Sequence, residues 1–251
     1  MSSSLIVTTD DLLVMLDRVL LDKLQDDHRD QWLEHQGQWW DHLYSNRDIP
    51  IPFFVDWPDE SLVSYFESRE LRPGRVLELG CGNGRNSRYF ASQGCHIDAV
   101  DFSQEAIAWA KEKNDYSDQR AIYVCKSIFE LDIRKPEYDI VYDSGCFHHL
   151  APHRRCSYLD LVKSALKPAG RFALVCFKSD VGSRLDDFEV YKQRTLADKF
   201  GNGLGYTRSQ LREIFCPSFE ILSLRKMEEA PPDRKLFGKD FLWTVLMKPL
   251  G

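Results

Sequence analysis

The chain has 251 residues, 43% of them hydrophobic, and a formal net charge of −6 at pH 7, which fits one large α/β domain with an N-terminal extension. No apolar run approaches the roughly 18 residues of a membrane span, and Met1 to Ser4 lacks the basic start and apolar core of a secretory signal, so a soluble, cytoplasmic protein is expected. The negative charge without a lysine and arginine cluster argues against nucleic acid as partner, and seven cysteines without C-x-x-C spacing argue against a disulfide framework or structural zinc.

Taken in order, Thr9 to Gln25 reads as a helix, because Thr9 or Asp10 can cap it and Leu12, Leu13, Leu16, Val19, Leu20 and Leu24 recur near helical spacing. It packs on the domain, packs on a second copy or serves as a lid, which leaves monomer and homodimer open. A second helical segment, His28 to Tyr44, carries Trp32, Trp39, Trp40 and Tyr44. The proline-punctuated Ile49 to Phe54 follows, then a helix over Asp59 to Glu70. These features divide the chain into a helical extension and lid, 1–58, and a domain, 59–251.

Val76 to Leu79 has the length and composition of a buried strand, and Gly80, Gly82 and Gly84 force a tight turn into a helix from Asn86. Cys95 to Asp101 reads as the next strand. Its terminal acid lies 21 positions after Gly80, where nucleotide folds place a carboxylate for ribose hydroxyls, and Ser103 caps the helix that runs to about Lys113. Arg120 to Cys125 and Tyr138 to Asp143 are the third and fourth strands, and Ser144 to Leu150 leaves the fourth at its C-terminal end. In an open parallel sheet the ligand crevice lies there, so His148 and His149 are the catalytic candidates, one facing the pocket and the other packing. Adjacent histidines without acidic or cysteine partners at ligand spacing do not make a metal site. Pro152 to Lys167 is expected as a helix and Phe172 to Phe177 as a fifth strand. The polar stretch Ser179 to Tyr206 is either an acceptor-binding or gating element or a surface helix over Leu185 to Lys199. Thr207 caps a helix to Phe215, and Phe219 to Leu224 and Phe241 to Met247 are the last strands.

The pattern E-x-G-x-G-x-G from Glu78 to Gly84, with Asp101 at its distance, resembles the S-adenosylmethionine (SAM) loop of class I methyltransferases. Trp40-x-x-x-Tyr44 followed by a proline loop resembles the lid of the thiopurine, halide/thiocyanate and tellurite-resistance methyltransferases. The resemblance implies a Rossmann-like, doubly wound, mostly parallel seven-stranded sheet closed by an antiparallel hairpin, with S-adenosyl-L-methionine as cofactor. It implies cofactor contacts from Glu78, Gly80, Cys81, Gly82, Asn83, Gly84 and Asn86 of the turn, from Asp101, Phe102 and Ser103 after the second strand, and from Asp143 ending the fourth. Ser127 stands where related enzymes carry an acid for the adenine amino group, and Phe102 and Ile128 would sandwich the purine. Trp40 and Tyr44 would cover the sulfonium, a cation–π contact of about 0.5 to 2 kcal/mol. The implied reaction is methyl transfer to a small acceptor, a thiol or other soft nucleophile first and a base-assisted O-methylation second. Asp143-Ser144-Gly145-Cys146 stands in place of the tetrad of nucleobase and glutamine amino-methylases. Two readings share the cradle: a nicotinamide-dependent oxidoreductase, which Arg85 disfavours by replacing the fingerprint's glycine, and a catalytically silent SAM-fold partner protein.

Overall fold

Strands β1 (Arg75–Leu79), β2 (His96–Asp101), β3 (Ala121–Cys125), β4 (Tyr138–Ser144), β5 (Leu166–Phe177), β6 (Phe219–Lys226) and β7 (Leu242–Pro249) form one sheet in the order β3-β2-β1-β4-β5-β7-β6. The first five run parallel, and β7 lies antiparallel between β5 and β6. The computed structural model describes residues 8–22, 35–114, 120–182, 187, 190 and 203–250. The helix expected over 185–199 falls mostly outside them, as do the last three residues of the first helix and the start of the second.

The helices are α1 (Thr9–Asp22), α2 (His35–Ser45), α3 (Glu60–Glu67), α4 (Arg85–Ser92), α5 (Gln104–Lys113), α6 (Arg155–Ala165) and α7 (Arg208–Phe215). Because side chains alternate across a strand, Val76 and Ile140 join Phe90 and Tyr65 in one core, while Leu77, Leu79 and Val141 join Phe172 and Phe215 in the other. Helices therefore cover both faces. At the C-terminal end of the chain Thr207 accepts from Gln210 N and the Gln210 side chain accepts from Thr207 N, a complete capping box on α7.

Two expectations shift. Pro152–Arg154 is a 3-10 turn before α6, and β5 begins at Leu166 rather than Phe172. The ladder pairs Tyr138 with Leu166 and next Ile140 with Arg171, so Pro168, which has no N–H to give, sits in the break between them.

The N-terminal segment is tied to the domain at several points. The Asp41 carboxylate accepts from Ser103 Oγ (2.6 Å) and Glu105 N (3.2 Å) at the start of α5. Arg47 pairs with Glu112, and Asp56 pairs with Lys113 and Arg88. Tyr44, Phe54 and Trp109 pack ring on ring between these anchors. Among the described residues no helix is long and apolar enough to cross a membrane.

Candidate active site

The sheet reverses direction of travel between β1 and β4, and the crevice at their carboxyl ends is the place a doubly wound sheet offers a ligand. A cavity of about 500 Å³ occupies it. Gly80, Gly82 and Gly84 have φ of 70°, 53° and 72°, the left-handed region that glycine reaches without strain. The turn is held because Gly80 N and Cys81 N both donate to Val100 O, at 2.8 and 3.0 Å. A Cβ on Gly82 would stand 2.6 Å from Tyr44 Oη and one on Gly80 2.8 Å from Cys146 Cβ. The glycines thus let the lid and the β4 loop close over the turn, a tighter demand than clearance for a ligand alone.

Asp101 ends β2 with its carboxylate nearly buried: Oδ2 accepts from Gly82 N (2.9 Å) and Oδ1 from Ser103 N (3.0 Å). Burial pushes its pKa up to about 6, against the pull of those N–H groups. Phe102, Ser127 and Ile128 line the cavity beside it, and Ser127 Oγ accepts from Phe129 N, closing a short 3-10 turn. Trp40 and Tyr44 form the wall contributed by α2. Cys81 and Asn83 also line the cavity, and Asn83 Nδ2 donates to Val55 O.

Five of the residues expected to touch cofactor have other work. Asp143 is fully buried off the cavity, where it accepts from Cys146 N (2.9 Å), Phe147 N (3.0 Å) and Tyr158 Oη (2.6 Å). It shapes the loop carrying the histidines, and burial pushes its pKa up to about 7. Ser103 is also off the cavity, caps α5 through Ala106 N and donates to Asp41. Gly84 faces away, since a Cβ there would meet Tyr123 Oη at 2.8 Å. Glu78 and Asn86 reach the cavity wall but are engaged elsewhere. Glu78 accepts from Ser87 Oγ, with its pKa raised to about 8 by burial, and Asn86 exchanges hydrogen bonds with Asp59.

Sequence reasoning passed over Arg85. Its side chain is buried on the cavity wall, with Nη1 2.7 Å from Asp59 Oδ1 and donating to Trp57 O, Nη2 donating to Ser144 Oγ (3.2 Å), and the guanidinium 4.3 Å from the Phe237 ring. Tyr142 Oη donates to the same Asp59 at 2.6 Å. The only local signal was its place at the first turn of α4, where a side chain after the glycines must point toward the crevice or the sheet.

Both histidines line the cavity. His148 is buried and stacked on Phe177, with centroids 3.8 Å apart, and its Nδ1 accepts from Phe177 N at 3.3 Å. His149 is half-buried, edge-on to Trp40 at 4.9 Å. Desolvation lowers both pKa values, His148 well below its usual range and His149 to about 4, so both rings are neutral near pH 7. Phe53, Phe177, Phe237, Phe241 and Leu242 add aromatic and apolar lining.

A family model described as a methyltransferase domain matches residues 76–170. An uncharacterised methyltransferase of Schizosaccharomyces pombe is 35% identical over 127 residues, 51% of this chain and 88% of that protein. An uncharacterised methyltransferase of Synechocystis is 34% identical over 110 residues, 43% of this chain and half of its own length. Among solved structures, one described as the conversion of a disulfide bond into a thioacetal group during echinomycin biosynthesis superposes with a TM-score of 0.65 at 21% identity, covering 86% of this chain and 92% of that one.

Proposed function

We propose that this chain, which belongs to the class I S-adenosyl-L-methionine-dependent methyltransferases, moves a methyl group to a small acceptor with a soft or readily ionised nucleophile, a thiol first. The residues present fit the cofactor. The left-handed glycine turn leaves backbone exposed to the cavity, a buried carboxylate stands at the end of β2, and aromatic rings from α2 complete the wall. Asp101 would hold the ribose hydroxyls, Phe102, Ser127 and Ile128 the purine, and Trp40 and Tyr44 the sulfonium end. Bound there, the cofactor supplies a methyl group on a cationic sulfur that any aligned lone pair can accept.

The protein's own task is to bind and orient the nucleophile and to exclude water, effects that together can reach about 7 to 11 kcal/mol in well-oriented systems. The apolar wall of Phe177, Phe237, Phe241 and Leu242 does the excluding.

The observation that carries the preference for a thiol is the state of the imidazoles. A His149 with a pKa of about 4 is a weak base, better matched to a nucleophile near its own ionisation than to an alcohol. The description of the structural neighbour concerns sulfur chemistry, which supports the same direction. Release of S-adenosylhomocysteine across a panel of thiols, phenols, carboxylates and amines tests it. Turnover of thiols with only a modest loss in His149→Ala is expected. Turnover confined to phenols and abolished in that variant would replace the thiol reading with base-assisted O-methylation. A thermal shift with NAD but none with SAM would reopen the oxidoreductase reading.

A further inference from the structure

Resting on that reading, we infer that the two imidazoles have unlike parts: His148 is a fixed hydrogen-bond donor whose Nε2–H receives the acceptor's nucleophile as an anion, while His149 holds no such fixed bond.

A neutral imidazole has one N–H and one lone pair, and which nitrogen carries the proton is set by the bond the other makes. The Phe177 amide donates to His148 Nδ1 at 3.3 Å, so the lone pair is used there and the proton resides on Nε2. Turned over, the ring would set Cδ2 against the Phe177 amide and leave that N–H unpaired. One face stacks on Phe177 with an interplanar angle of 21°, and the Cδ2 edge lies against Gly203, where a Cβ would approach to 2.6 Å. Gly203 has φ of 74°, and the next residue ties the segment down, since Leu204 N donates to His148 O at 2.7 Å. Nε2 has no protein partner among the described residues, although the residue is buried and lines the cavity. With Nδ1 taken, Nε2–H is the polar group this ring can offer to a ligand in the cavity it lines. His149 differs, for neither of its ring nitrogens is engaged among the described residues and its ring is half-buried.

The charges around the pair narrow the acceptor class. Among the described residues Arg85 is the cation on the cavity wall, and the carboxylates that reach it, Glu78 and Asp101, are bound into the glycine turn and the β2 end. Among the described residues no free carboxylate lines the cavity to receive an ammonium. A neutral N–H donor favours a bound anion, against the desolvation that favours its conjugate acid. The acceptor is then a thiol, acidic phenol or enol that enters ionised. Its X–H bond breaks before binding, with the proton passing to water. Bound S-adenosyl-L-methionine would supply the methyl carbon to the lone pair left on X and keep the pair of the old bond on its sulfur, and no proton passes through His148.

The probe is 4-nitrophenol, whose anion absorbs in the visible, titrated with pH in the presence of saturating S-adenosylhomocysteine. The bound probe is expected to ionise about tenfold more readily in the native protein than in His148→Phe, which keeps a ring on Phe177. His148→Gln, whose amide N–H can stand in for Nε2–H, should restore most of that difference, and His149→Ala should retain it. Equal ionisation in the native protein and in His148→Phe overturns the inference. Nitrogen-15 NMR of histidine-labelled protein gives an independent reading: a neutral Nε2–H ring is expected for His148 at pH 7, and an Nδ1–H or charged ring overturns the assignment. S-adenosylhomocysteine binding is scored by calorimetry in the same samples. Its loss is a failure of the methyltransferase reading, with the NMR result still decisive for His148, whereas binding with equal probe ionisation in the native protein and in His148→Phe is a failure of this inference alone.

Discussion

Asp101 works twice, as an acceptor for the amides of Gly82 and Ser103 and as the carboxylate proposed for the ribose. Asp101→Ala should weaken SAM binding by about 1 to 3 kcal/mol, because a charged acceptor is lost and the turn is loosened. Calorimetry decides it, and an unchanged dissociation constant in a folded variant would take Asp101 out of the site. Since burial raises its pKa to about 6, affinity for S-adenosylhomocysteine should fall as pH drops through that value and Asp101→Asn should flatten the profile. Asp143 makes a stability prediction instead. Its folded pKa of about 7 lies above the ordinary 3.8, so its contribution is fully present below about pH 4 and is lost as pH rises through 7. The stability difference between native protein and Asp143→Asn, from urea unfolding at several pH values, should shrink over that window. A flat difference would show that the carboxyl titrates normally.

At the scale of elements, α2 and the loop after it are tied to α5 by polar and aromatic contacts. Asp41 serves as a second cap for α5, and its Ala variant should lose about 0.5 to 2 kcal/mol of that contact. Faster tryptic cleavage beside Arg47 and weaker cofactor binding should follow together, because Trp40 and Tyr44 ride on the same helix. Unchanged cleavage would mean that the Arg47 and Asp56 pairs suffice to hold it. The strands, the glycine turn and the caps at Ser103 and Thr207 were legible in the sequence because each is a local pattern with a local cause. What was not legible is which residue lines the cavity. Asp143, Ser103 and Gly84 carry the composition of a site but lie off the cavity and serve the backbone around them, while Arg85 is held on the wall by Asp59, 26 positions earlier, with Trp57, Ser144 and Phe237. The division between His148 and His149 depends on Phe177 and Gly203, which no spacing rule links to them.

For the whole molecule, turnover should be indifferent to EDTA. Among the described residues no three of His, Cys, Asp and Glu are grouped to hold a metal ion. Loss of activity restored by added magnesium or zinc would reverse that. The placement of β7 between β5 and β6 has a further consequence, for synthesis rather than catalysis. As the chain is made, β1 to β5 can pair and the glycine turn can form well before residue 242 leaves the ribosome, but β5 then presents an unpaired edge of Phe172, Leu174 and Cys176 with nothing beside it. Phe237, Phe241 and Leu242 arrive last, bringing with them the bridge from Phe237 to Asp59. A nascent chain would thus own a cofactor cradle before it owns an acceptor wall, and in that interval its sticky edge is a target for chaperones and for its own copies.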